Sequence, residues 1–295
     1  MSVFSTFLRQ IINGLQSGSI YALVALGYSM VYGIITLLNF AHGDIIMVGA
    51  YIAWLSMAKF SSHPAFAIIA AILGCTLLGV LIEKAAYKPL RGSPRISLLI
   101  TAIGVSFLLE NASQMIFGAN AQVIPSLFSL APLRFGSLEI SGTAIVTLVT
   151  AAVSMLALSF LVQKTKMGKA MRAVSEDTDA AQLMGININR TVSFTFAIGS
   201  ALAGIGSVLY CSAYPQATPM MGAMLGLKAF VAAVLGGIGS IPGAMIGGFA
   251  IGLAEALVSA IGLSVWKDGV VFAILIIVLL VKPTGFMGKA MREKV

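Results

Sequence analysis

Four ionisable side chains stand inside or beside long apolar runs of the sequence. Glu110 and Glu255 each lie within such a run, with no basic residue within one helical turn, and His42 and Asp44 interrupt another run. A charge at the centre of a bilayer costs at least about 2.5 to 3.5 kcal/mol, so we expect both glutamates to face the protein interior. These groups could line a polar path for a solute or relay protons.

Asn111 and Gln114 accompany Glu110. Because residues four apart share one face of a helix, Glu110 and Gln114 are predicted to form a polar patch. This patch, Asn111 and Glu255 are candidates to line a substrate path. A structural hydrogen bond between helices is an equal alternative for both carboxylates.

Polar and small residues interrupt two apolar runs. The stretch 38–44, Leu-Asn-Phe-Ala-His-Gly-Asp, divides a run that would otherwise continue to Trp54, and the stretch 235–243 is rich in glycine. Such breaks release backbone polar groups, which are tolerated at membrane depth only inside protein or beside water. Paired breaks point to a transport path, while two tight turns at the cytoplasmic surface are an equal alternative. The predicted break residues are Gly43, Gly236, Gly237, Gly239, Pro242 and Gly243.

The first break also supplies Asn39, His42 and Asp44 as candidates for the path. The pattern places them near the membrane interface, where burying a charge costs less. A hydrogen-bonded turn that holds the break is therefore favoured over a proton relay. No metal site is predicted, because His63 is the only other histidine and no ligand spacing surrounds the pair.

The composition requires a membrane protein. Of the 295 residues, 59% are hydrophobic and 9% are charged, against about 25% charged in soluble domains. We predict an all-α polytopic bundle in a single membrane domain, 1–295, with membrane lipid covering its surface. It would cross the membrane nine times, or eight if one segment is re-entrant. The predicted spans are 11–37, 45–58, 65–82, 96–118, 143–162, 191–213, 225–238, 243–262 and 268–281.

The basic residues are concentrated in the breaks between spans. The segments 83–95, 164–190 and 282–295 hold thirteen of the 18 lysines and arginines. This is the positive-inside pattern, and it speaks against a nucleic-acid groove. With nine spans, an even number separates each pair of segments, so all three face the cytoplasm and the N-terminus lies outside. A shift of 198 residues also aligns Met47 with Met245 and Gly49 with Gly247, which suggests a parallel internal repeat.

The longest charged segment, 163–190, predicts a short amphipathic helix at the cytoplasmic surface that ends at Gly185. Such a helix could dock into a groove on another protein, and an ordinary solvated loop is the weaker alternative. The sequence contains no phosphate-binding loop, no Gly-x-Ser-x-Gly elbow and no His-Glu-x-x-His pair, so catalysis by this chain is not expected. The apolar residues predicted to share one face of the helix are Ala170, Ala173, Val174, Ala181 and Met184.

Several blocks resemble the smaller membrane permease of the high-affinity branched-chain amino-acid ABC importers of bacteria. Asp179-Ala180-Ala181, followed by Gly185, is similar to the Glu-Ala-Ala-x-x-x-Gly mark of a coupling helix, with Asp in place of Glu. The resemblance therefore assigns coupling to an ATPase to Lys169, Arg172, Asp179, Ala180, Ala181 and Gly185. The matching blocks are 18–23, 30–35, 38–43, 87–91, 185–187, 228–230, 234–244 and 255–257.

The resemblance also implies an assembly. This chain would pair with a second related permease, two cytoplasmic ATPases and a periplasmic binding protein in the bacterial inner membrane. It would bind no cofactor itself, and the ATPases would use ATP to drive import of leucine, isoleucine and valine by alternating access. Urea, short amides or other hydrophobic amino acids are alternative substrates, and an ion-coupled secondary transporter is a more distant alternative.

Overall fold

The computed structural model describes residues 3–35, 39–60, 63–125, 127–128, 131–135 and 138–288. Leu38 of the first predicted break and 289–295 of the last basic segment lie outside these ranges. The described residues form helices joined by short turns, with four very short strands. The helices are α1 Val3–Ile35, α2 His42–Leu55, α3 Pro64–Ile82, α4 Arg95–Phe117, α5 Gly142–Lys164, α6 Lys166–Glu176, α7 Thr178–Leu183, α8 Ile188–Ala213, α9 Met221–Gly236, α10 Ile241–Ala260 and α11 Lys267–Val281.

Each of the nine predicted apolar runs corresponds to one helix. Among the described residues, eight helical segments are long and apolar enough to cross a membrane, and α9, with 16 residues, is shorter. The helices α2 and α3 continue into π-helical turns, Ser56–Phe60 and Glu83–Tyr87. Two 3₁₀ turns, Lys88–Leu90 and Ser264–Trp266, complete the helical structure.

Close contacts fix the directions of the helices. Gly79 of α3 lies against Ser200 of α8, and Gly204 of α8 lies against Ala71 of α3, so these two helices are antiparallel. Similar contacts show that α1, α3, α5, α9 and α11 run one way and that α2, α4, α8 and α10 run the other. The described parts of all three basic segments therefore lie at one end of the bundle, with the start of α1 at the other. We call these ends the inner and outer ends.

The same directions agree with the suspected repeat. The shift of 198 residues relates α2 to α10 and α3 to α11, and both members of each pair run in the same direction. The packing of the two halves nevertheless differs, because the two sequence breaks occupy different depths.

Glycines allow α1 and α10 to approach closely. Gly14 and Gly18 on α1 face Gly248 and Gly252 on α10, and a Cβ added at Gly252 would lie 2.4 Å from the Gly14 carbonyl oxygen. Each pair has the small-xxx-small spacing that brings membrane helices into backbone contact. This interface and α8 form the centre of the bundle, while α4, α5 and α11 are largely exposed at its edge.

Two short antiparallel pairings close the outer end. The strand β1, Gln122–Val123, pairs with β4, Gln216–Ala217, and so ties the end of α4 to the end of α8. A second pairing joins β2, Leu133–Phe135, to β3, Leu138–Ile140.

The two ends of the bundle can be distinguished by thiol labelling. We expect Ser264→Cys, at the outer end, to react with a membrane-impermeant maleimide in intact spheroplasts of a bacterial host, and Ser175→Cys, in α6, to react only after permeabilisation. Both serines are exposed, whereas the native Cys75 and Cys211 are buried and supply little background. Labelling of Ser175→Cys in intact spheroplasts would contradict this orientation.

Candidate functional site

The helix α2 begins inside the protein. The ring of His42 packs edge-to-face on Tyr28 at 4.9 Å and lies against Gly27 in the middle of α1. Gly33, six residues further along α1, contacts Gly239 in the turn at the inner end. Six helical residues span roughly 9 Å. The predicted position of His42 and Asp44 near the interface is therefore wrong, because the chain turns back into the bundle before α2 starts.

The start of α2 meets the start of α9. Gly43 contacts Gly222 and Gly226 so closely that a Cβ added at Gly43 would lie 2.3 Å from the Gly222 carbonyl oxygen. From this point α2 runs outward and α9 runs inward. The N-terminal ends of two helices thus share one depth, where their dipoles make the surroundings positive. We call this crossing, formed by residues 39–44 and 221–226, the central junction.

Asp44 places a carboxylate at the central junction. It is 1% exposed, and its Oδ2 accepts a hydrogen bond of 2.5 Å from the Ser106 hydroxyl on α4. Its Oδ1 lies beside Gly222 and has no hydrogen-bond partner among the described residues. Glu110, one turn beyond Ser106, is also buried. The positive helix ends therefore offset a cluster of acidic groups in the interior.

The side chains at the junction are held by ordinary turn hydrogen bonds as well. The His42 amide donates to the Asn39 carbonyl at 3.0 Å, and the Asp44 amide donates to the Ala41 carbonyl at 3.1 Å. Asn39 is 2% exposed, and its Oδ1 accepts from the Tyr87 hydroxyl at 2.7 Å. This geometry is the hydrogen-bonded turn that the sequence favoured.

The second break forms a tight turn at the inner end. Gly237 and Gly239 have φ angles of +100° and +88°, which suit glycine, and Pro242 lies in the first turn of α10. Gly236 and Gly243 face each other where α9 and α10 approach. The two breaks were predicted as equivalent partners. They are not, because the first is buried in the bundle and the second joins two helices at its edge.

The polar patch predicted on α4 does not form. Glu110 faces the interior, whereas Asn111 and Gln114 are exposed, and Asn111 donates from Nδ2 to the Phe107 carbonyl on its own helix. The helix α4 packs on the bundle through a narrow stripe, so a residue rotated about 40° from Glu110 already falls outside the contact. The sequence gives the helical spacing but not the width of the packed face.

Glu255 is part of a buried cluster of charges. Its Oε1 lies 2.7 Å from the Lys228 ammonium of α9, which also lies 2.6 Å from Asp268 of α11. Its Oε2 accepts a hydrogen bond from the Tyr21 hydroxyl at 2.7 Å. The four residues join α1, α9, α10 and α11. Sequence analysis overlooked Lys228, because it searched for a basic partner on the same helix, although the lysine itself stands in an apolar run.

The predicted coupling helix is in fact two helices. Asp177 caps α7 by accepting from the amides of Asp179 and Ala180, and so divides α7 from α6. Met184, predicted to share the buried face with Ala181, is exposed, because α7 ends before it. Gly185, with φ of +82°, ends the segment as predicted.

Most residues that the resemblance assigns to coupling lie on the surface. Lys169, Arg172, Asp179, Ala180 and Gly185 are exposed, whereas Ala181 is buried. Leu183 and Met184, which the resemblance did not single out, project from the end of α7 with 89% and 82% of their surface exposed. Two exposed apolar side chains on a polar surface indicate a contact with another protein.

A hydrogen-bonded network joins this segment to the central junction. Glu83, fully buried at the end of α3, accepts from the Ser193 hydroxyl of α8 at 2.6 Å and pairs with Arg91. Arg91 also donates to Asn189 Oδ1 at 2.6 Å. Tyr87, in the same π-helical turn as Glu83, donates to Asn39. The start of α8, which follows α7 directly, is thus bound to the turn that starts α2.

These features define a class of protein. A bundle of membrane-length helices with an interior helix break, buried charges at the break and an exposed helical pair at its inner end is a multi-pass membrane transport protein. Among the described residues, no cluster of metal-binding side chains exists.

Comparison with known proteins identifies the family. The sequence profile of the family described as "Branched-chain amino acid transport system / permease component" matches residues 10–279. The chain is 44% identical to the high-affinity branched-chain amino acid transport system permease proteins LivH of Salmonella typhimurium and of Escherichia coli, with 99% of each chain covered. It is 42% identical to the permease protein BraD of Pseudomonas aeruginosa, with 98% of each chain covered. The chain belongs to this family of transport permeases.

No solved structure matches this chain.

The close contact at the central junction predicts a steric cost. We expect Gly43→Ala to lower the free energy of unfolding by about 1 to 3 kcal/mol, because the added Cβ overlaps the Gly222 backbone and cannot rotate away. The measurement is thermal unfolding in detergent. Gly104→Ala on α4 is the matched control, since nothing lies within 4 Å of a Cβ added there. Equal stability of the two variants would contradict the observed packing.

The buried charges predict a dependence on balance. Lys228→Met should cost about 3 to 5 kcal/mol, because it leaves Glu255 buried without its cation. Adding Glu255→Gln should restore part of that loss. Thermal unfolding of both variants in detergent measures the difference, and a double variant less stable than Lys228→Met alone would argue against the pairing.

Proposed function

We propose that this chain is the membrane-spanning permease subunit of an ATP-binding-cassette importer that carries leucine, isoleucine and valine across the bacterial inner membrane. The identity of 44% over 99% of both chains to proteins named as branched-chain amino acid permeases carries this proposal. The lack of a phosphate-binding loop supports the assignment of ATP hydrolysis to separate subunits. In this proposal the chain binds no cofactor and works with a second permease, two ATPases and a periplasmic binding protein.

In this proposal the pair α6 and α7 receives the motion of the ATPases. Leu183 and Met184 would insert into an apolar groove of an ATPase subunit, while Lys169, Arg172 and Asp179 would make polar contacts around it. An apolar anchor with a polar rim is the usual composition of a specific protein interface. Ala181 would act from within, because its small buried side chain lets α7 pack against the bundle.

The network at the inner end offers a route for that motion. A displacement of α7 would move the start of α8, and with it Asn189 and Ser193, which hold Arg91 and Glu83. Tyr87 would carry the movement to Asn39 at the central junction. The junction, with His42, Asp44 and Glu110, is the proposed gate of the translocation path. Nucleotide would shift the population of states only through its different affinity for each.

The experiment is reconstitution of the complex purified by a tag on this chain. With the binding protein outside and ATP inside proteoliposomes, we expect uptake of leucine, isoleucine and valine that stops without ATP. Met184→Ser should reduce both uptake and the stimulation of ATPase activity about tenfold or more, as expected for an interface anchor. Met220→Ser is the matched control, since Met220 is 67% exposed but lies towards the outer end.

Three results would overturn parts of this proposal. Uptake by this chain alone, driven by an ion gradient without ATP, would favour a secondary transporter. ATP-dependent uptake of urea or short amides in preference to leucine would change the substrate. Full coupling in the Met184→Ser complex would remove α7 from the ATPase interface.

A further inference from the structure

A polar cavity opens at the outer end of the bundle. It has a volume of about 310 Å³ and lies between the first half of α1 and the second half of α10, beside the end of α8 and the start of α11. Its position is opposite to α6 and α7. The volume is at the small end of the range of about 300 to 1,000 Å³ found for ligand sites. We call this cavity the outer pocket.

The outer pocket carries charges of both signs. Glu255 lines it from α10 and Lys267 lines it from the start of α11. Lys267 is exposed and makes no ion pair with any described residue. Glu255 is shared by Lys228 and Tyr21, yet a carboxylate has about four acceptor positions, so it can accept further donors.

The rest of the lining suits a small amphipathic molecule. Amide and hydroxyl groups come from Gln10, Asn13 and Ser259, while Ala213 and Ala256 supply apolar surface. The close approach of α1 and α10 leaves the floor of the pocket without large side chains. An apolar group and both kinds of charge can therefore be accommodated together.

We propose that the outer pocket is a docking site for the zwitterionic end of an α-amino acid, with Glu255 binding its ammonium group and Lys267 its carboxylate. Free amino acids carry these two charges on one carbon, so neighbouring charges of opposite sign are complementary to them. Such a site would be the first position that the solute occupies in this chain, before it reaches the central junction. This inference deepens the proposed function and rests on it.

Protection of a single thiol tests the outer pocket. The complete complex, purified by a tag on this chain and placed in nanodiscs without nucleotide, carries Ser259→Cys and is labelled with an impermeant thiol reagent. We expect saturating leucine to slow labelling about tenfold, the loss of access expected when an occupied site shields the thiol. We expect 4-methylpentanoate, which lacks the ammonium, and isopentylamine, which lacks the carboxylate, to protect far less.

Two further variants separate binding from structure. Lys267→Gln in the same background should raise the leucine concentration that gives half protection about tenfold, as expected for loss of one charged hydrogen bond, and Lys267→Arg should restore it. Ala260→Cys, one residue further on the same helix and outside the lining, is the control, and its labelling should not respond to leucine. The native Cys75 and Cys211 are buried.

The outcomes distinguish this inference from the function on which it rests. If leucine fails to protect Ser259→Cys while the unmodified complex still shows ATP-dependent leucine uptake, the outer pocket is not a substrate site and the proposed function stands. Equal protection by 4-methylpentanoate would likewise overturn the zwitterion assignment. If the unmodified complex takes up no leucine, the proposed function itself fails.

Discussion

The rest of the structure depends on how the broken start of α2 is sheltered from lipid. Its free backbone groups cannot be left in hydrocarbon, where each would cost several kcal/mol. The protein surrounds them with α1, α4 and α9, and glycines at positions 43, 222 and 226 let the backbones meet directly. A carboxylate, Asp44, then occupies the point where two helix ends make the surroundings positive. The break is thereby stabilised without water.

This arrangement explains why the inner end of the bundle is bound together by polar contacts. Glu83 and Arg91 would be costly separately, but together with Ser193 and Asn189 they are satisfied. The same network joins α3, α8 and, through Tyr87, the start of α2. A bundle whose apolar faces can slide along each other has few specific positions. Directional hydrogen bonds at one end give the helices a defined register.

The sequence was a good guide to the helices and a poor guide to their neighbours. Apolar runs of membrane length had no alternative conformation, because only a helix satisfies its backbone in lipid. The burial of Glu110 and Glu255 followed from the cost of their charge. Their partners did not follow. Lys228 is 27 residues from Glu255 in sequence, and only the packing of α9 on α10 brings them together. The coupling segment was located correctly, but the cap at Asp177 divided it.

The sequence by itself determined a multi-pass helical protein, the extent of each span, the side on which its basic residues gather and, through resemblance, its family. Composition and length decide these properties, because the bilayer imposes the same requirement on every segment. Only the tertiary structure decided that one break lies deep in the bundle and the other at its edge, that Gln114 faces outward, and that Glu255 pairs with Lys228. Helices of similar apolarity can pack in many ways, and the choice among them depends on contacts between residues far apart in the chain.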